Sequence, residues 1–529
     1  VTPAIALFGT NRDTGGAPAA RYGNKAAVLA EMAEIGVPVP PGFALPIDAC
    51  EEYFAGNHSL PQWVPALLAQ GIAELESATG LGFGNDRRPL MVSVRSGAAV
   101  SMPGIMETIL NVGLSRATVG GLVYRTGNPR FAWDCYRRLL AQFGEVVRGH
   151  DPARYRALVR EAMEAEGVPD QAELDTASLK TLAGQFERVH AEAGQPFPSG
   201  AEEQLAACTE AVLASWGGPR AQAFRRLGLA GDARGTAVAI QSMVFGNLGS
   251  ASGAGVAFTR NPWSGHPGLL LDFRFGAQGE EVVSGEQAGM DQEAFARVMP
   301  EQFEALARIG AQLERRFGDM QDLEFTIEEG RFFILQSRAG KRSPLAALRI
   351  AIDLVDEGLI GPARALAQLD GIDLDGIRVR RVVGGGDLLV TGTPASGGVA
   401  SGSIAFTGER AEAEALSGGV ILVRPTASPD DIGGIQAAAG LLVARGGRTS
   451  HAAVVARQLN KVCVVNCPGL SIDRHRRTCR LGEAELREGD VISIDGNTGR
   501  VYRGVVAVSE QRPAALIERV RGWSGRGRG

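Results

Sequence analysis

The segment Arg445-Gly446-Gly447-Arg448-Thr449-Ser450-His451-Ala452-Ala453 places a histidine where it can do covalent chemistry. Two glycines end an apolar run, Thr449 or Ser450 can cap the helix that follows, and His451 falls in that helix's first turn. A neutral imidazole is nucleophilic near neutral pH, and the N–P bond it makes with phosphate is easily broken again. Phosphate carried there would face unpaired N–H groups at the positive end of the helix dipole, with Arg445 and Arg448 close by in sequence. The plainer alternative is that His451 only helps to cap the helix.

A second constellation spans Gln321-Asp322-Leu323-Glu324-Phe325-Thr326 and Leu335-Gln336-Ser337-Arg338, which reads as a hairpin turning at Glu328-Glu329-Gly330. Strand alternation puts Asp322 and Glu324 on one face, while Gln336 and Arg338 share a face of the partner strand. Carboxylate and amide oxygens, together with phosphate oxygens of a nucleotide, make a reasonable Mg2+ shell, and Arg338 can neutralise developing charge. The alternative is a surface ion pair across a hairpin. Lysine occurs only at Lys25, Lys180, Lys341 and Lys461, so Lys25 beside Tyr22-Gly23-Asn24 draws notice. Arg95-Ser96-Gly97 opens what reads as a glycine-bearing loop through Ser101-Met102-Pro103-Gly104, where backbone N–H groups can close over a polyphosphate while Arg95 forks onto its oxygens.

These residues need several elements to hold them. A chain of 529 residues exceeds one ordinary core, which stops growing near ~250–300 residues. A hydrophobic fraction of 45% and a charged fraction of 21% are those of a folded soluble protein. No apolar stretch is long enough to span a bilayer and the first residues do not read as a signal peptide, so the expectation is a cytoplasmic protein without a membrane partner. The net charge of −5 argues against a general nucleic-acid binder. Six cysteines are no disulfide framework in a chain this long. Cys463, Cys467, His475 and Cys479 cluster in a way that suggests zinc, yet Cys463 lies in the apolar run Val462–Val465, where cysteine is more often a small buried hydrophobe.

Val28, Leu29, Met32 and Ile35 recur at helical spacing after Lys25, and Gly36 with Pro38 ends that helix. Strands are expected at Leu90–Val94, Thr236–Phe245, Gly255–Thr259, Leu323–Ile327 and Phe332–Gln336, with a helical insert over about 115–230. Short helices follow over 343–382, and Gly384-Gly385-Gly386 reads as a flexible joint. Beyond it, strands at Gly419–Val423, Gly440–Ala444 and Val462–Val465, a helix started by Ser428-Pro429-Asp430, and a hairpin through Ile492–Tyr502 make a small α/β domain. The glycine and arginine alternation of Gly522–Gly529 reads as disorder.

Gly446-Gly447-Arg448-Thr449-Ser450-His451-Ala452-Ala453-Val454-Val455-Ala456-Arg457 resembles the phosphohistidine signature of the pyruvate, phosphate dikinase family, except that the family commonly has methionine where Arg448 stands. Lys25-Ala26-Ala27-Val28-Leu29-Ala30-Glu31-Met32, Gly36-Val37-Pro38-Val39-Pro40-Pro41-Gly42-Phe43, Ser93-Val94-Arg95-Ser96-Gly97-Ala98 and Ser101-Met102-Pro103-Gly104-Ile105-Met106-Glu107-Thr108 extend the resemblance to the family's ATP-binding domain. Thr126-Gly127-Asn128 and Tyr136-Arg137-Arg138 belong to the same likeness.

The resemblance implies an α/β and α+β multidomain chain. An ATP-grasp nucleotide-binding domain would occupy 1–342, a helical linker and hinge 343–386, a small α/β phosphohistidine swivelling domain 387–509, and a disordered tail 510–529. It implies His451, Arg95, Arg338 and Arg137 as catalytic residues, and Lys25, Arg95, Gly104, Glu324, Gln336 and Arg338 as nucleotide contacts. It supports Glu324 and Gln336 as metal or nucleotide ligands, to which the strand alternation adds Asp322 as a metal ligand, and Thr449 is a position that some family members regulate by phosphorylation. ATP and inorganic phosphate would charge His451, with Mg2+ as cofactor and release of AMP and pyrophosphate. The family's phosphoenolpyruvate/pyruvate-binding barrel is not recognisable in these residues, so a separate acceptor-binding protein is expected. The competing expectation is a nucleotide-responsive regulatory protein without turnover. A fragment of a longer product is a third reading.

Overall fold

The computed structural model describes residues 3–10, 17–98, 107–226, 233–279, 282, 289–427, 431–448 and 450–526. It divides into two compact units, Val1–Ser252 with Ile327–Ser337, and Gly253–Thr326 with Arg338–Gly529. The division runs through the span expected as 1–342.

The first unit is built on a five-stranded sheet in the order Ala6–Phe8, Gly42–Leu45, Thr236–Ser242, Val92–Ala98, Thr108–Val112, with antiparallel pairs throughout. Its middle strand, Thr236–Ser242, is buried along its whole length. The strand expected at Leu90–Val94 runs on through Arg95, Ser96 and Gly97 to Ala98, because every one of those residues finds a ladder partner on Thr236–Ser242. The rest of the expected loop, Gly104 included, lies outside the described residues. The helical insert appears as expected, from Val119–Thr126 to Pro219–Arg226. The Thr126-Gly127-Asn128 motif acquires a local meaning there: Gly127 ends one helix at φ 64°, and Asn128 caps the next by accepting from the N–H of Phe131.

The second unit holds three structures. Strands Gln321–Glu328, Gly253–Arg260 and Pro267–Phe275 lie side by side, in that order, in one sheet. The helix Pro300–Phe317 carries Glu314, whose carboxylate takes the buried Arg260 from two sides, while Glu357 takes its far end. Next comes a helical core of Pro344–Asp356 and Pro362–Gln368. Of the tail expected as disordered over 510–529, the described residues belong to strand Ala507–Gln511 and helix Ala514–Arg526. Ile517 and Val520 of that helix are buried with Leu348, Ile352 and Leu369. The expected glycine joint is partly strand as well, since Val379–Gly384 pairs antiparallel with Ala507–Gln511.

The third structure is an eight-stranded sheet in the order Asp387–Thr391, Arg500–Arg503, Val491–Asp495, Val399–Ala405, Val420–Arg424, Gly440–Val443, Val462–Val465, Thr393–Ser396. The four strands from Val399–Ala405 to Val462–Val465 run parallel, and separate apolar clusters cover them, one with Ile421, Leu442 and Val464 and one with Leu422, Leu441 and Val465. Parallel pairing demands a crossover, and the crossover from Gly440–Val443 to Val462–Val465 is the helix His451–Gln458. The helix start expected at Ser428-Pro429-Asp430 lies outside the described residues, and the helix is described from Ile432 to Ala437.

All six cysteines are free and buried. Burial pushes the thiols of Cys50 and Cys467 up to about 11 and those of Cys463 and Cys479 up to about 12, and it raises those of Cys135 and Cys208 as well. His475, by contrast, is exposed on a turn. The folded protein is therefore expected to react with no equivalents of an aromatic disulfide reagent at pH 8 over minutes, and with all six thiols after denaturation. Rapid reaction of even one thiol in the native protein would contradict the burial described.

Candidate active site

In the first unit, helix Ala19–Glu34 is broken at Gly23, whose φ of 76° and ψ of 158° are not helical. A Cβ at Gly23 would stand 1.7 Å from the carbonyl oxygen of Gly97, so only glycine lets the helix lie against strand Val92–Ala98. Lys25 then begins the second stretch of helix and Arg95 precedes Gly97 by two residues, so this close approach brings together the elements that carry them. Gln336 also falls in the first unit, half-buried on strand Arg331–Ala339.

Arg137 is placed differently from an exposed helical arginine. It is buried in helix Pro129–Gln142, with Nη2 2.6 Å from Asp134 Oδ1 and a further bond to Gln171, while Arg138 Nε lies 2.7 Å from Asp134 Oδ2. Burial opposes ionisation of Asp134, but the two guanidinium groups outweigh it and hold the carboxyl well below the usual range. In this arrangement Arg137 is locked into the insert.

In the second unit the hairpin residues form a charged cluster. Arg338 Nε donates to Asp322 Oδ2 at 2.8 Å, and the Asp322 side chain is 5% exposed. Burial raises the Asp322 carboxyl against the pull of Arg338, and Oδ1 has no hydrogen-bond partner among the described residues. Burial works against the charge on Arg338 too, yet the carboxylates of Asp322 and Glu324 raise its pKa overall. Asp322 and Arg338 are thus partners across the hairpin, and the Glu324 carboxylate acts on both. An oxygen left over on a buried carboxylate, with a second carboxylate beside it, is the donor chemistry a hard divalent cation takes.

His451 is the first residue of helix His451–Gln458; its side chain and Thr449 are outside the described atoms. Ser450 is the cap, accepting from the N–H of Ala453 at 3.5 Å. Gly446 has a φ of 135°, and a Cβ on Gly447 would stand 2.5 Å from Oδ2 of Asp272 on strand Pro267–Phe275. Arg445 is exposed, whereas Arg448 reaches away to donate to Gln292 Oε1 at 3.0 Å.

Sequence reasoning missed Arg457 and Asp272. Arg457 ends the histidine helix's apolar run, is 2% exposed, and donates from Nη1 to the carbonyls of Arg448 at 2.8 Å and Ala395 at 3.0 Å. Its guanidinium lies 5.2 Å from the centroid of the Phe258 ring. Desolvation pulls its pKa down to about 10, against the attraction of Asp322, Cys463 and Asp272. A cation inside Ala-Ala-Val-Val-Ala-Arg was the available signal; Asp272 gave none, because only tertiary packing brings it to Gly447.

Two stretches of the chain match known domain types. Residues 57–295 and 286–358 match the pyruvate phosphate dikinase AMP/ATP-binding domain, and residues 416–499 match the mobile domain of PEP-utilising enzymes. The chain is 42% identical over 510 residues to pyruvate, phosphate dikinase of Clostridium symbiosum, covering 95% of this chain and 58% of that protein. It is 41% identical over 527 residues to the chloroplastic pyruvate, phosphate dikinase 1 of Arabidopsis thaliana, covering 98% and 55%. The Rhizobium meliloti (strain 1021) pyruvate, phosphate dikinase is 40% identical over 525 residues, with 95% and 58% covered. The chain belongs to the pyruvate, phosphate dikinase family. It spans little more than half the length of the curated relatives it matches. None of the described helices is long and apolar enough to cross a membrane.

The Asp134 network makes a distinct prediction for Arg137. Arg137→Met leaves the buried Asp134 carboxylate with Arg138 as its one guanidinium partner and is expected to cost about 1.5–3 kcal/mol of stability in urea unfolding, with Asp134→Asn added in the same chain recovering part of it. Because the folded pKa of Asp134 is depressed, its contribution is complete above the ordinary carboxylate value of about 4 and fades only as pH falls through the lower folded value. The deficit of Arg137→Met should therefore be undiminished from pH 8 down to pH 5. A variant as stable as the parent would show that Arg137 has no such structural role.

Proposed function

We propose that this chain carries out the ATP half of a dikinase reaction on His451. ATP binds with Mg2+, imidazole nitrogen attacks the β-phosphorus, the bond to AMP breaks, and the γ-phosphoryl group passes to inorganic phosphate. The products are AMP, pyrophosphate and a β-derived phosphoryl group on His451. The observation that carries this reading is the contact of the histidine helix and its loop with the strands that neighbour the charged hairpin, Arg457 lying 5.2 Å from the centroid of the Phe258 ring and Gly447 lying against Asp272. Carrier and charged hairpin thereby belong to one assembled region of the second unit.

The roles follow from the chemistry each group offers. Asp322 and Glu324 would hold Mg2+, which when bound neutralises phosphate charge, and Gln336 is proposed as a further metal or nucleotide ligand. Arg338, freed in part from Asp322 when a cation takes that carboxylate, stabilises charge on the transferring group. Lys25, Arg95 and Gly104 are proposed to bind the nucleotide phosphates. The cap at Ser450 takes the N–H of Ala453, and the N–H groups of His451 and Ala452 ahead of it are proposed to face the carried phosphate. We further propose an ATP-grasp fold for the nucleotide-binding part, a swivelling role for the carrier domain, a cytoplasmic location, and transfer onward to pyruvate or another acceptor held by a separate protein.

The test is incubation with Mg2+ and ATP labelled at the β or the γ position, with and without inorganic phosphate. Acid-labile label from the β position is expected on His451 after phosphate is added, with equimolar AMP and pyrophosphate, and none on His451→Ala. Absence of both label and AMP would leave a nucleotide-binding protein without turnover.

A further inference from the structure

Arg457 is poorly provided for as a buried cation. Its Nη1 is taken by the carbonyls of Ala395 and Arg448, whereas buried Nε and Nη2 have no hydrogen-bond partner among the described residues. Of the carboxylates that act on it, Asp322 already accepts from Arg338 through Oδ2, and Asp272 is pressed against Gly447. Burial of a charge without full hydrogen bonding is costly unless some partner offsets it. The Phe258 ring beneath the guanidinium supplies only part of that offset. At the same time, the Arg448 carbonyl that Nη1 holds belongs to the loop immediately before His451.

Resting on the reading above, we propose that Arg457 is a positioning residue that couples a polyphosphate at Asp322 and Glu324 to the placement of the His451 loop. Without the ligand the guanidinium is incompletely compensated, and the seat of the histidine helix on strands Gly253–Arg260, Pro267–Phe275 and Gln321–Glu328 is weak. The net negative charge of a magnesium-bound nucleoside triphosphate close to Asp322 completes the compensation. The seat tightens, and the Arg448 carbonyl is held where His451 can act. The coupling is purely electrostatic and transfers no group.

Hydrogen exchange of the full chain tests it, with amides of Ala452–Gln458 followed with and without the Mg2+ complex of a non-hydrolysable β,γ-imido ATP analogue. In the parent chain the complex is expected to slow exchange there about tenfold. In Arg457→Met, which keeps much of the side-chain stem, the slowing should fall below twofold, and Arg457→Lys should retain about threefold. Phe258→Leu, which removes the ring but leaves the cation and both carboxylates, should keep the slowing even if exchange is faster overall. If Arg457 only packs the helix, Arg457→Met will speed exchange equally in both states and leave the ligand-dependent slowing intact, which overturns the proposal. A parent chain without any slowing overturns it as well. Because the analogue cannot be cleaved, the coupling stands or falls separately from His451 labelling by ATP.

Discussion

Charge that is buried must be compensated, and that constraint organises both units of this chain. In the first, one buried carboxylate, Asp134, takes two arginines of its own helix, and Arg137 reaches on to Gln171. In the second, Arg260 takes two glutamates and joins strand Gly253–Arg260 to helix Pro300–Phe317 and to the end of helix Pro344–Asp356. These two networks are saturated: every charged group has a partner of opposite sign at hydrogen-bond distance. The cluster of Asp322, Arg338 and Arg457 is not, since one oxygen of Asp322 and two nitrogens of Arg457 are buried without hydrogen bonds among the described residues. Networks of the first kind hold a fold together. One of the second kind costs stability and is retained where a ligand with charge of its own completes it.

Close backbone approach is the other device that builds the site, and it explains why particular glycines stand where they do. At Gly23 the absent side chain lets a helix meet a strand carbonyl, and at Gly447 it lets a loop meet a carboxylate. In both cases a residue proposed to carry the chemistry, Lys25 or His451, follows within a few positions. The glycines do not contribute chemistry themselves; they remove the Cβ that would keep two elements apart by the width of a methyl group.

Much of this was legible in the sequence wherever a local signal and the tertiary environment agreed. Val462–Val465 is a fully buried parallel strand and reads as a continuous apolar run; Ser450 before an apolar helix is a cap; Asp322 and Glu324 alternate as a strand requires. The reading failed where tertiary partners decided. Arg95-Ser96-Gly97 looks like the start of a loop until the ladder to Ala239, Val238 and Ala237 is in place. The glycine and arginine of the last residues concealed the stripe of Leu516, Ile517, Val520 and Trp523, which becomes a helix face because helices Pro344–Asp356 and Pro362–Gln368 cover it. Arg457 was hidden for a related reason. An arginine at a helix end is ordinarily solvated, and only the packing of Phe258 and the neighbouring carboxylates makes it interior.

The ordered tail changes where flexibility can reside. Chain enters the eight-stranded sheet after Val379–Gly384 and leaves it before Ala507–Gln511, and these two strands pair with each other. The exit continues into helix Ala514–Arg526, which is packed into the helical core. Entry and exit are therefore stitched together, and a run of glycines on the entry side cannot act as a hinge alone. Rotation of the sheet against the helices would have to be absorbed on both crossings at once. The positive-φ glycines fit that requirement, with Gly385 and Gly386 on the way in and Gly504 on the way out. A two-stranded ribbon so placed would confine any such rotation to a pair of short segments. For the swivelling role proposed above, a guided axis serves better than a slack tether.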